Sequence, residues 1–368
     1  MTDARSIGDR SLARCPVTHD DGSWNVWGNE EARQVALDPE TYSSQVSRHL
    51  SVPNGMDGDE HRRFRAVIDR YLADDVIAPL YPGFVEISEN VLDSMGDEFD
   101  ANEYGSLVAV RTQSLWLGWD PSYEDELLGW IVENQAATRS KEYSRTAAVA
   151  EHFTSIVQRI VKDHEDELWD SPTSRLMEDT VEENGTERLL SQEEIVSILR
   201  NWTAGDLGSI TYSIGIIAHF LATHHSIAAD LRRYDEQGNT RALDLALDEI
   251  LRIDDPFLAN RRKTTRDVTL AGQDIPADSV LYLQWTAANR DPRAFGNPDA
   301  YNPEGNASKN LVYGEGPHIC PGRTLSTLEL RAALVAMLRA GDLELAGEAL
   351  RETSPVGGYT AVPVRRVY

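Results

Sequence analysis

At 368 residues with 41% hydrophobic side chains, the chain can bury one large core or two ordinary ones. Its 61 acidic against 35 basic side chains give a net charge of −26, which argues against nucleic acid as a partner, because phosphate backbones select for Lys and Arg. Two cysteines, Cys15 and Cys320, exclude a disulfide framework, and no run of about 18 apolar residues marks a membrane span.

Met1 to Arg14 lacks the apolar core of a signal peptide, so a cytoplasmic protein without a membrane partner is expected. Helical patterns then dominate. Glu30 to Leu37 reads as a short helix broken by Pro39. His61 to Leu72 places Phe64, Val67, Ile68 and Tyr71 at helical spacing, and Ala147 to Leu168 is a second amphipathic stretch. The longest helix is predicted over Gln192 to His224, where Ser191 followed by Glu194 forms a capping box. Inside it lies Thr203-Ala204-Gly205-Asp206-Leu207-Gly208-Ser209. Two glycines in a helix cost roughly 1 kcal/mol each relative to Ala, so they serve either a kink, close helix packing, or the approach of a flat ligand.

A further helix follows Gly238 and runs through Ile253, where Asp254-Asp255-Pro256 ends it. Val268 to Ala271 and Val280 to Trp285 read as strands, with Ile275-Pro276-Ala277-Asp278 as the hairpin turn between them. The fold class expected is mainly α with a small β portion.

Within this order sit the residues that carry chemistry. Glu249 and Arg252 stand one helical turn apart, a spacing that most often gives a solvated surface pair. His61 and Arg65 project from one helix face. The run Tyr313-Gly314-Glu315-Gly316-Pro317-His318-Ile319-Cys320-Pro321-Gly322 describes a tight loop ending on a lone thiol, just ahead of a helix over Arg323 to Ala340. A helix N-terminus favours the thiolate and lowers its pKa.

This loop, with Glu-x-x-Arg 71 residues upstream and His-x-x-x-Arg before both, resembles the cytochromes P450, with Tyr313 where the family usually has Phe. The resemblance runs from about Ser23 to Leu345 and implies the fold of that family as a single haem domain over residues 1–368, with no fused reductase. It implies haem b, iron ligated by the Cys320 thiolate, and a cofactor site of His61, Arg65, Ala204, Arg262, Tyr313, Gly314, His318, Cys320 and Gly322. His61, Arg65, Arg262 and His318 are the propionate donors, and Glu249 and Arg252 are structural. Two departures stand out: no Arg lies between Tyr301 and Asn306, and the acid–alcohol pair of the long helix is replaced by Leu207 and Gly208. The catalytic set is therefore expected to be Gly205, Asp206, Gly208 and Ser209, with protons coming from Asp206, Ser209, Thr203, water or the substrate. Pro321 has no N–H to offer the sulfur, which implies a stronger electron donor.

The resemblance also implies substrate contacts from the loop Gln45 to Met56, the long helix and the segment after Ile253: Val46, Arg48, His49, Asn201, Thr203, Leu258, Asn260 and Arg261. If Arg48 and Arg261 point inward rather than to solvent, the substrate is anionic. The chain is similar in character to the alkylphenol-oxidising members that act on a phosphorylated cresol. Electrons are expected from a ferredoxin and ferredoxin reductase, docked on a basic patch of Arg62, Arg63 and Arg323. Hydrogen peroxide as oxidant, or haem binding without catalysis, are the alternatives.

Overall fold

Ser191 caps the longest helix as its sequence requires: its Oγ accepts from Glu194 N at 3.2 Å, and the Glu194 carboxylate accepts from Ser191 N at 2.7 Å. In this computed structural model, which describes residues 3–20, 22–47, 49–166 and 170–368, the architecture rests on helices. They are α1 (Gly58–Ile68), α2 (Tyr81–Ser94), α3 (Ala101–Leu117), α4 (Glu124–Ser140), α5 (Tyr143–Asp166), α6 (Gln192–Thr223), α7 (Thr240–Ile253) and α8 (Arg323–Arg339). Helix α6 is apolar nearly all round and runs through the middle, packed on α3 and α8. The α3 contact is close because Gly105 has no side chain: a Cβ there would come within 2.7 Å of the Thr211 carbonyl oxygen. No described helix is long and apolar enough to cross a membrane.

The β portion is a sheet in the order β1 (Val17–Asp20), β2 (Ser23–Val26), β5 (Val280–Gln284), β4 (Ala259–Thr264), β3 (Tyr42–Ser43). Strand β5 runs parallel to β2, with Leu281 opposite Trp24, and antiparallel to β4, with Leu281 opposite Arg262. A second core, separate from the helical one, lies under this sheet around Val26, Val35, Leu281 and Leu283.

The helices predicted over Glu30–Leu37, Gln192–His224 and Arg323–Ala340 agree with the observed ones to within a residue at each end. Helix α1 begins at Gly58 and stops at Ile68, earlier at both ends than predicted; Asp59 and Glu60 favour its first turn. Helix α5 begins at Tyr143, and Leu168, its predicted end, falls outside the described residues.

The predicted hairpin is corrected. Val268–Leu270 pairs with Gln273–Ile275 through Ala271 and Gly272, whose φ of 49° and 76° suit a tight turn. Ile275 to Asp278 is thus a connection, and Val280–Gln284 joins a different sheet. Residues 259–264, for which no strand is predicted, form its β4 partner.

Candidate active site

The cysteine loop folds on its own backbone. Cys320 N donates to Tyr313 O at 2.9 Å, and Gly314 N to Leu311 O at 2.9 Å. Gly314 and Gly316 have φ of 70° and 78°, and a Cβ on Gly316 would collide with the Ala36 carbonyl oxygen. Cys320 Sγ faces a slot lined on the opposite side by Gly205, Asp206 and Ser209 of α6.

Helix α7 pins this loop from below. Glu249 and Arg252 are fully buried and bonded in a fork, Nε to Oε2 at 2.8 Å and Nη2 to Oε1 at 2.9 Å. They are not a surface pair. Arg252 also donates to the carbonyls of Asn289, Pro298 and Ala300. Asn289 Oδ1 in turn accepts from Leu311 N at 2.7 Å, and Asn310 Nδ2 donates to Asp248 O at 2.7 Å. The Arg missing between Tyr301 and Asn306 is replaced by neutral donors: Glu249 Oε1 accepts from Asn302 N and Asn306 Nδ2.

At one edge of the slot stand basic groups with little to bind. Arg262 is buried, lines the slot, and has one hydrogen bond, to Arg261 O; no described carboxylate lies within ion-pair distance. His318 lines the slot beside it, 3.1 Å from Ser44 Oγ and 3.5 Å from Asp57. Burial, then the nearby His61 and Arg262, push its pKa down to about 4. His61 stands behind His318, ring centroids 4.1 Å apart, and burial lowers its pKa too. These groups suit two carboxylates of a bound ligand, as haem propionates are. Arg65 does not line the slot. It donates to the carbonyls of Pro317 and Ile319 and to Asp69, and so braces the loop.

The thiol departs from the sequence expectation. Burial, and next Asp206, raise the Cys320 pKa to about 12 despite the helix that follows. A metal ion must therefore drive the proton off. Pro321 has no N–H to offer the sulfur, while the backbone N–H of Gly322 favours the thiolate.

Beyond α6 a cavity of about 890 Å³ opens. Val46, Leu258, Asn260 and Arg261 line it, together with Gly205, Gly208 and Ser209 of the expected catalytic set; Ala204, read as a haem contact, lines this cavity and not the slot. Asn201 instead lines the slot and ties Val52 O to α6 at 2.8 Å. Thr203 is corrected: it is fully buried, with Oγ1 bonded back to Leu199 O, and lines neither space. His49 is exposed and absent from both walls, and Arg48 lies outside the described residues. The Ser209 hydroxyl donates to Gly205 O at 2.7 Å. Residues missed in the sequence include Trp130, Asn134 and Thr138 of α4, which roof the cavity at i, i+4, i+8 spacing, a stripe the sequence could have shown. Arg139, next to them, forks onto buried Glu352 at 2.7 Å, fastening the roof to the segment that carries Ser354–Gly357 of the far wall.

Of the anticipated basic patch, Arg62 pairs with Asp59 and Arg323 with Asp248, while Arg63 makes no ion pair among the described residues.

What fits between the cysteine loop and α6 is a flat dianionic cofactor with one thiolate ligand, so the protein is of the haem-thiolate class. Over residues 136–357 it matches the family Cytochrome P450, and the chain belongs to that family of monooxygenases. The cyclomarin C epoxidase of Salinispora arenicola is 26% identical over 353 residues, covering 88% of this chain and 85% of the relative. The erythromycin C-12 hydroxylase of Saccharopolyspora erythraea is 27% identical over 330 residues, covering 85% and 80%. Among solved structures, a mutant of P450 EryK in complex with erythromycin B has a TM-score of 0.87 at 24% identity, over 100% of this chain and 98% of that one. The hydroxylase HmtN of himastatin biosynthesis has a TM-score of 0.83 at 25% identity, over the whole of both chains.

Proposed function

We propose that this monooxygenase hydroxylates or epoxidises a large, oxygen-rich, largely uncharged molecule of the macrolide or cyclic-peptide kind. The observation that carries the reading is the cavity: about 890 Å³, with side-chain amides and hydroxyls from Asn25, Ser47, Asn134, Thr138 and Gln284 spread over its wall. Such neutral donors and acceptors suit carbonyl and hydroxyl groups dispersed over a large ligand. The relatives' names, an epoxidase of cyclomarin C and a hydroxylase of erythromycin, lend the class support.

When bound, haem with a thiolate ligand supplies O–O cleavage and C–H oxidation. The chain's own residues hold its propionate edge with Arg262 and His318 and orient the substrate through the cavity wall. Gly205 and Gly208 leave the α6 face open, as a Cβ at either would meet nothing within 4 Å.

The narrower reading, an aryl phosphate, rests on Arg261, the exposed cation of the wall. Asp20 on the same wall opposes an anion, and neither relative named above is an enzyme of cresol breakdown. A spectral titration of the holoprotein decides between them. Macrolide or cyclic-peptide ligands are expected to shift the Soret band at lower concentration than cresyl phosphate, and the opposite order would sink the leading reading.

External electrons from a ferredoxin and its reductase fit a single haem domain, while Leu207 and Gly208 favour a peroxide-driven reaction as the second reading. Turnover with ferredoxin, reductase and NAD(P)H set against turnover with peroxide alone separates the two. Gly208→Thr is expected to fold, since the site is open, and to raise product formed per electron consumed at least severalfold. Positioned proton transfer is worth about 10²–10⁴-fold in general, which leaves room for a gain of that size. An unchanged ratio would remove Gly208 from the catalytic set.

A further inference from the structure

Asp206 points away from the large cavity, toward the place where α6, α3 and α8 meet. Its Oδ1 accepts from Ser326 Oγ at 3.1 Å and its Oδ2 from Gln113 Nε2 at 2.9 Å. The same Gln113 nitrogen reaches Glu329 Oε1 at 3.2 Å. Glu329 and Gln113 are sealed from solvent, whereas Asp206 keeps an opening on the haem slot. One amide thus bridges two carboxylates in an apolar interior. Among the described residues no Lys, Arg or His lies within ion-pair distance of either acid. Arg331, two positions beyond Glu329, is engaged elsewhere, with Asp244 and over the Tyr81 ring of α2. The other groups facing the pair are Thr112 of α3 and the Cys320 thiol. Two atoms have no partner, Gln113 Oε1 and Glu329 Oε2.

Two anions cannot share such a place without a cation, so one of the acids holds a proton. Glu329 Oε2, which accepts no hydrogen bond from a described residue, is the atom free to carry it. Burial and the Asp206 charge raise the Glu329 pKa well above its ordinary range, and burial raises Asp206 to about 6. Asp206 is therefore the member that changes state near neutral pH. It is also the one that opens on the slot and acts electrostatically on Cys320.

We propose that Asp206 and Glu329, bridged by Gln113, form a proton-holding pair at the haem edge, in which Asp206 takes up one proton whenever the iron accepts one electron. This rests on the haem-thiolate reading. In balance, a one-electron donor such as a reduced iron–sulfur protein is oxidised, the iron is reduced, and solvent in the slot yields H⁺ to an Asp206 oxygen. The only bond made within the protein is that O–H. Asp206 is here a positioning residue for charge, distinct from a direct donor to bound oxygen.

The test is a spectroelectrochemical titration of the holoprotein from about pH 5 to 8, the range in which a buried carboxyl titrates. The reduction potential is expected to fall by close to 59 mV per pH unit where coupling is one-to-one, a tenfold step in proton activity converted for one electron. Asp206→Asn is expected to flatten the slope, and Glu329→Gln to keep it. The infrared difference spectrum on reduction is expected to gain a protonated-carboxyl band that Asp206→Asn lacks. Ser326→Ala, which removes a bond favouring the Asp206 anion, is expected to move the sloping region to higher pH, and it serves if Asp206→Asn does not retain haem. A flat wild-type potential, a slope unchanged in Asp206→Asn, or no shift in Ser326→Ala would overturn the proposal. A holoprotein whose ferrous–CO complex lacks the thiolate-dependent red-shifted band would instead overturn the haem-thiolate reading beneath it.

Discussion

Arg252→Ala is expected to destabilise the protein by about 3–5 kcal/mol and to yield material that does not retain haem. The guanidinium has no exposed surface, and its five contacts are the buried Glu249 carboxylate, the buried Asn289 carbonyl, the part-buried carbonyls of Pro298 and Ala300 and, at 4.7 Å, the Phe295 ring. Alanine leaves a buried carboxylate without its counter-charge and three carbonyls without a donor. The loss does not stay local, because the Asn289 carbonyl held by Arg252 belongs to the residue whose side chain holds Leu311 N, two residues before Tyr313. Arg252→Lys keeps the charge but not the planar fork, and an intermediate loss is expected. Urea unfolding with haem content measured in parallel checks both variants. A loss below about 1 kcal/mol for Arg252→Ala, the scale of a surface pair, would refute the argument.

Cys320→Ser is expected to remove the thiolate-dependent band of the ferrous–CO complex. It should lower monooxygenase turnover by more than about 100-fold, the scale already reached when only a partner of a metal ligand is lost. The reason lies in the thiol's surroundings. Burial and the Asp206 charge favour the protonated sulfur, so Cys320 would hold iron as an anion only with the metal displacing that proton. A serine hydroxyl is a far weaker acid in the same enclosure. A variant that kept the red-shifted band would sink the assignment of Cys320 as ligand.

Much of this site was legible because its parts are local. The glycine spacing from Gly314 to Gly322, the i, i+3 step of Glu249 and Arg252, and the capping box at Ser191 each lie within one short window, and the order of these windows carried the fold. The parts that escaped depend on rotation and partners. Thr203 and Gly208 share one helix, yet only the second opens on the cavity, and nothing in their spacing says which face looks at the cofactor. Asp206 was read as a proton source, but its neighbours Gln113 and Glu329 come from helices 93 and 123 residues away. A trace of them was present: Glu329 is the only acid of its helix and stands between Leu328 and Leu330 in a stretch of Leu and Ala, a placement that calls for a buried partner. The hairpin error arose because Ile275-Pro276-Ala277-Asp278 looks like a turn, while the tighter Ala271-Gly272 turn had already closed the pair.

The parallel pairing of Ser23–Val26 with Val280–Gln284 sets when the cofactor can enter. The sheet wall of the cavity needs two strands some 250 residues apart in sequence, and the iron ligand lies later still. Contacts of such separation form slowly, with the loop-closure entropy met before any reward. Until then Ser23–Val26 has only Val17–Asp20 as its partner, and its other edge is open to other chains. The sheet wall therefore closes late in folding, and the yield of red protein from a cell is tied to how well that open edge is shielded in the interval.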